Sequence, residues 1–151
     1  MLDDSLKTKG LVEVLLLDAD GNIKERREFA NLVVNSGLAY IASRMKDATA
    51  TTMSHMAVGS GSVAAAAADT ALGTQLARVA LDSTSLTTTT ATNDAVQYVA
   101  TFAAGTGTGA ITEAGIFNAS SAGTMLCRTV FSVINKGALD TLVITWKVTV
   151  A

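Results

Sequence analysis

Few residues of this chain have both the type and the spacing for chemistry. Its one histidine, His55, lies in the apolar run Met53-Ser54-His55-Met56-Ala57-Val58. A Ser–His pair there would need an orienting acid and an oxyanion hole, and no nucleophile-elbow motif is present. The one cysteine, Cys127, lies in Met125-Leu126-Cys127-Arg128-Thr129, which reads as a strand. A single thiol supports neither an intrachain disulfide nor a Cys-based metal site, so Cys127 reads as a small core residue. Asp18-Ala19-Asp20-Gly21 begins like a calcium loop. An EF-hand, however, has glycine at its sixth position and glutamate at its twelfth, and here the glycine is fourth.

The two glycine-rich stretches, Gly59-Ser60-Gly61 and Gly105-Thr106-Gly107-Thr108-Gly109, match neither a Walker A loop nor a dinucleotide fingerprint. No Gly-Lys-Ser/Thr follows them and no βαβ pattern surrounds them. Glu113 stands in Ile111-Thr112-Glu113-Ala114-Gly115-Ile116-Phe117, with no second acid near enough in sequence for paired-carboxylate catalysis. It is expected to be a structural carboxylate that accepts from backbone N–H groups beside Gly115. Residues 24–28 carry mixed charges, with no aromatic except Phe29 at the end, and read as a solvated strand face. The sequence therefore predicts no catalytic residue, no metal and no cofactor.

The elements around these residues are mostly strands. Residues 11–17 and 23–29 flank the turn Asp18-Ala19-Asp20-Gly21-Asn22 and predict a hairpin. Asn35-Ser36 looks like a helix N-cap, and Leu38, Ile41, Ala42 and Met45 recur at helical spacing. Arg44 and Lys46 fall in the last turn, where the helix dipole favours cations, so a short helix is predicted over 36–46. Further strands are expected at 53–58, at 76–81 with a possible extension to 86, at 95–104, 111–118, 124–134 and 139–150. Residues 69–72 could form one helical turn, and the Thr run 87–90 a strand edge or loop. In the last strand Leu142, Ile144, Trp146, Val148 and Val150 share a face. Trp146, Phe102, Phe117 and Phe131 are the expected core anchors. About eight short strands punctuated by turns predict an antiparallel β-sandwich, mainly β with one helix.

Composition narrows the role. The chain has 151 residues, 49% of them hydrophobic but only 5% aromatic and 16% charged, so its apolar share comes from small side chains. It is long enough for one domain with a real core. Residues 1–10 are polar, end in glycine and read as an extended arm, leaving 11–151 as the sandwich domain. A net charge of −2 gives no field toward nucleic acid or anionic lipid. No basic and apolar leader is apparent, and residues 11–17 are too short a run to span a membrane. The charges are uneven: residues 1–47 hold 7 of the 11 Lys/Arg and 8 of the 13 Asp/Glu, and Asp94 is the sole charge from Ser83 to Thr112. A surface so poor in charge suits a protein partly covered by neighbours in an assembly. A sugar- or receptor-binding module would need exposed aromatic platforms, and an enzyme convergent polar groups; the sequence points to neither.

Several segments resemble a family of small tailed-bacteriophage virion proteins. They are Asn31-Leu32-Val33-Val34-Asn35-Ser36-Gly37-Leu38, His55-Met56-Ala57-Val58-Gly59-Ser60-Gly61 and Asp69-Thr70-Ala71-Leu72-Gly73-Thr74-Gln75-Leu76-Ala77-Arg78. Ala110-Ile111-Thr112-Glu113-Ala114-Gly115-Ile116-Phe117-Asn118 belongs with them, as do Arg128-Thr129-Val130-Phe131, Ile134-Asn135-Lys136-Gly137 and Asp140-Thr141-Leu142-Val143-Ile144-Thr145-Trp146. The resemblance runs over residues 29–150 and rests on structural motifs. It implies a jelly-roll-like sandwich acting as a capsid decoration (cement) protein, made in the host cytoplasm and located on the outer capsid surface. The implied partners are the major capsid protein and copies of the chain itself, as a dimer or trimer, with no nucleic acid and no membrane. Similar sequences also serve in tails and tail fibres, which is the alternative the resemblance leaves open.

Overall fold

The computed structural model of the chain describes residues 7–46 and 50–150. Ten strands and one helix follow in order: β1 (Thr8–Leu17), β2 (Ile23–Ala30), β3 (Leu32–Val33), α1 (Asn35–Lys46), β4 (His55–Gly59), β5 (Gln75–Ala80), β6 (Ser83–Thr87), β7 (Ala95–Phe102), β8 (Gly109–Phe117), β9 (Met125–Lys136) and β10 (Thr141–Val150). They make two five-stranded antiparallel sheets, ordered β2-β1-β10-β7-β6 and β3-β9-β8-β4-β5. The molecule is a β-sandwich. Its first and last strands pair in one sheet while β3 and β9 pair in the other, one pair nested inside the other along the chain. Four in-sheet hairpins (β1–β2, β4–β5, β6–β7 and β8–β9) accompany that nesting.

Period-two alternation puts one face of each central strand inside. Leu142, Ile144, Trp146 and Val148 of β10 are buried with Val12, Val14 and Leu16 of β1 and with Tyr98, Ala100 and Phe102 of β7. Met56, Val58, Ile111, Ala114, Ile116, Cys127, Phe131 and Ile134 meet them from the other sheet. One side of the sandwich is sealed between β2 and β9. Arg27 donates from Nη1 to the Ser132 carbonyl at 2.7 Å and from Nη2 to the Val133 carbonyl at 2.8 Å, while its guanidinium also holds Glu25. Beside it the Phe29 and Phe131 rings stack at 4.7 Å.

The structure corrects several expectations. Residues 8–10 are not arm but the start of β1, with Thr8, Lys9 and Gly10 opposite Val150, Thr149 and Val148. Gly10 is small because Asn31 fills its place: a Cβ there would lie 1.1 Å from Asn31 Oδ1. Lys7 precedes the strand, and residues 1–6 of the proposed arm lie outside the described residues, as do 48 and 49 of the predicted polar loop. The strand expected over 76–81 is β5, but its possible extension to 86 is a separate strand, β6, in the other sheet. The chain crosses between them where the Leu81 N–H donates to the Ser54 carbonyl and the Asp82 N–H to the Val99 carbonyl. Residues 69–72 form no helical turn, and 88–91 curl around the Asp94 carboxylate, which accepts from the N–H groups of Thr89, Thr90 and Ala91.

The helix falls where predicted, one residue longer, but its packing differs. Leu38 and Met45 are exposed, and Gly37 is its one buried residue. Ser36 Oγ donates to the Met125 carbonyl at 2.7 Å, tying the first turn to β9. A Cβ on Gly37 would lie 2.0 Å from the Leu126 carbonyl oxygen, a backbone atom that cannot swing aside. Gly→Ala inside a helix ordinarily gains about 0.5–1 kcal/mol. Here Gly37→Ala is expected instead to cost about 1–3 kcal/mol, the usual range for forced overpacking. The urea midpoint of the variant checks this, and a rise in midpoint would contradict it.

Candidate functional site

The most organised polar cluster lies on the outer face of the β8–β9 hairpin. Gly115 pairs with Arg128 and Glu113 with Val130, so Glu113 and Arg128 are diagonal neighbours on one face. Both are buried, Glu113 completely. Arg128 donates to Glu113 Oε2 from Nε at 3.1 Å and from Nη2 at 2.8 Å, and from Nη1 to Asp69 Oδ2 at 2.8 Å. Glu113 also accepts three backbone N–H groups: Gly61 and Thr74 at 2.8 Å on Oε1, and Gly73 at 2.9 Å on Oε2.

These bonds explain why the loop from 60 to 74 lies flat over the sheet. Gly59 and Gly61 permit the approach, since a Cβ on either would come within 2.5 Å of Glu113 Oε1. Leu72 of the same loop packs on Val34, Ala57, Phe117 and Met125. Burial alone would raise the Glu113 carboxyl's pKa. The N–H groups of Thr74, Gly73 and Gly61 and the Arg128 guanidinium outweigh it and hold the group below its ordinary value. Asp69 is also held low, first by the Ala66 N–H, against burial, and then by Arg128. With every Glu113 oxygen committed to structure, the cluster is a clasp. The expected structural role of Glu113 thus has a geometry, though its donors sit in the facing loop rather than beside Gly115. Arg128 and Asp69 were not foreseen in it.

The other candidates are dispersed. Ser54 Oγ lies 2.8 Å from His55 Nδ1, a contact between chain neighbours on the half-buried margin of β4. Cys127 is fully buried, and burial pushes its thiol pKa well up, which opposes thiolate chemistry. Asp18 Oδ1 accepts from the N–H groups of Asp20 and Asn22, both at 2.9 Å, so that carboxylate shapes the hairpin turn. Gly21 supplies its positive φ. Among the described residues no group of three or more His, Cys, Asp or Glu is placed to hold a metal, and no helix is long and apolar enough to cross a membrane. Trp146, Phe102 and Phe131 lie between the sheets. Phe117 is buried on the outer face instead, with the Arg78 guanidinium 3.7 Å from its ring centroid.

An open groove lies between α1 and the first sheet. About 480 Å³ in volume, it runs between Tyr40, Ile41 and Met45 of α1, Leu86 of β6, and Val148 and Val150 of β10. Its walls are chiefly apolar, and Met45 and Leu86 are 78% and 63% exposed. Such a surface suits contact with another macromolecule.

Comparison of the chain with protein-family models, with curated proteins and with solved structures finds no match.

Proposed function

We propose that this chain is a structural protein of a tailed-phage virion, a decoration protein that binds the outer capsid surface and bridges major capsid subunits. The resemblance over residues 29–150 motivates the reading. The observation that carries it is how little charge is left for solvent in the larger part of the molecule. After residue 47 the chain has only nine charged side chains. Four of them, Glu113, Arg128, Lys136 and Asp140, are buried. Arg78 is spent on Phe117, Asp69 on Arg128 and Asp94 on its own turn. After residue 47 the exposed surface is thus largely Ser, Thr and Ala, with single apolar side chains such as Leu76, Leu86 and Leu139. That is a poor surface for staying apart from neighbours and a suitable one for lying against them.

The mechanism is multivalent. One contact with a capsid subunit is modest, but an oligomer touching several at once gains about 10²–10⁴ in avidity. Because the bound protein favours the closed shell over separated subunits, binding stabilises the shell by mass action. With few charges to steer or screen, attachment is expected to depend little on salt.

The test uses virions that carry the protein and virions from which its gene is deleted. Release of DNA at a lower temperature from the deleted particles, with the protein labelled over the whole shell and present in hundreds of copies, is the expected result. Unchanged release together with labelling confined to the tail overturns the capsid reading and favours the tail or tail-fibre alternative.

A further inference from the structure

The four edge strands of the sandwich are not alike. A bare edge is a template for pairing with another chain, and proteins guard such edges with charge, bulges, shortness or cover. β2 carries five consecutive charged residues, Lys24 to Glu28, with Arg26 bound to Glu13 at 2.7 Å. β3 is two residues long, and the carbonyls of β9 beyond it are taken by Arg27. β5 bears Arg78, and its pairing with β4 shifts register between Val58 and Gly59.

β6 has neither charge nor bulge. Its sequence is Ser-Thr-Ser-Leu-Thr, its register with β7 is unbroken over all five pairs, and Ser83, Thr84, Ser85 and Leu86 are exposed. It is the last strand of its sheet, so among the described residues no strand pairs with its outer side.

We infer that β6 is a self-association surface, on which a second copy of this chain pairs antiparallel about a two-fold axis through Ser85. Such pairing sets Ser83 opposite Thr87, Thr84 opposite Leu86, and Ser85 opposite its own counterpart. At the axis the exposed Ser85 hydroxyl faces its own counterpart, and no like charges meet along the strand. The neutral strand offers a charged peptide no ion pair, whereas a second neutral edge matches it in charge and in length. An isologous two-fold contact of this kind closes on itself as a dimer.

The groove supplies the rest of the contact. Thr84, Ser85 and Leu86 line its mouth with Met45 of α1. A paired edge of five residues is only about 17 Å long. A standard interface covers about 800 Å² on each partner, so the dimer also needs the groove rim and the exposed Leu86 and Met45 side chains. The inference does not rest on the capsid reading, because it concerns the free protein in solution.

The experiment is sedimentation of the full chain, with Ser85→Lys and Ser85→Glu variants. The wild type is expected to sediment at twice its 15.4 kDa as concentration rises. Each variant alone puts like charges face to face at the axis and is expected to remain a monomer, while the two mixed restore the dimer. Ser85 is exposed, and matching far-UV spectra establish that the variants fold. Hydrogen exchange on the wild type gives a second reading without mutation: β6 amides are expected to gain protection with concentration while those of β2 do not. A wild type monomeric at every concentration overturns the inference. So does a dimer that both variants retain, or one whose β6 amides gain no protection.

Discussion

Glu113→Ala is expected to cost about 3–5 kcal/mol, the range for breaking a buried ion pair by removing one partner. The side chain is wholly buried and its two oxygens accept five hydrogen bonds, two from Arg128 and three from the backbone. Its loss leaves the guanidinium with Asp69 and the Val63 carbonyl only. It also strands the N–H groups of Gly61, Gly73 and Thr74, three of the bonds that hold the loop to the sheet. Unfolding in urea gives the magnitude. Hydrogen exchange gives the location, with faster exchange confined to residues 60–74 if the fold survives.

Adding Arg128→Met to this variant separates the two parts of the clasp. Replacing both partners of a buried pair by apolar groups is often neutral or stabilising by about 1–4 kcal/mol. Here the double variant is expected to stay well below wild type, because the three N–H groups still lack an acceptor. Full recovery would mean that the ion pair, and not the loop anchorage, is what Glu113 contributes. Acid tests the same group. The folded protein holds the Glu113 proton less tightly than the unfolded chain does, so its contribution is complete above the ordinary carboxylate range. It is lost as pH falls through the lowered folded value. Stability of the wild type is expected to fall more steeply between neutral pH and about pH 3 than that of Glu113→Ala.

The legible parts of this fold were the strands with one wet face. Residues 95–102 and 142–148 alternate because only one side of β7 and β10 meets the core, and that period is written locally. β8 is different: its last five residues are all buried, since the other sheet covers one face and the 60–74 loop covers the other. The roof is Ala-rich and has no period, so nothing local says what it covers. The clasp did leave a trace, a Glu and an Arg among apolar neighbours on the two hairpin strands, on the same face once the register is known. The split between β5 and β6 rests on Asp82, whose Oδ2 accepts from Thr101 Oγ1 at 2.6 Å, a partner nineteen residues away. Thr8, Lys9 and Gly10 looked like an arm because their strand is set by backbone pairing with β10 and not by side-chain burial. The charge-free run beginning at Ser83 was visible, but its position at a sheet edge depends on non-local pairing.

Trp146→Ala is expected to cost about 3–5 kcal/mol, as for other large aromatics removed from packed cores. Trp146 is 0% exposed and sits mid-sheet, opposite Val12 on β1 and Tyr98 on β7. Its neighbours on both strands are themselves held in sheet pairing, so the space the indole leaves is only partly filled by relaxation. Trp146→Phe isolates the packing contribution. The indole Nε1 has no hydrogen-bond partner among the described residues, so losing its N–H forfeits no bond. A phenyl ring fills most of the same volume, and the cost of Trp146→Phe is expected to stay below about 2 kcal/mol, nearer the cost of a modest shape change than of a cavity. Urea midpoints for the two variants measure both, and the single tryptophan reports its own environment by emission, blue-shifted in the native state and red-shifted on unfolding. An alanine variant with an unchanged midpoint would place the stabilising core elsewhere. A phenylalanine variant as damaged as the alanine one would assign the indole N–H a bond after all.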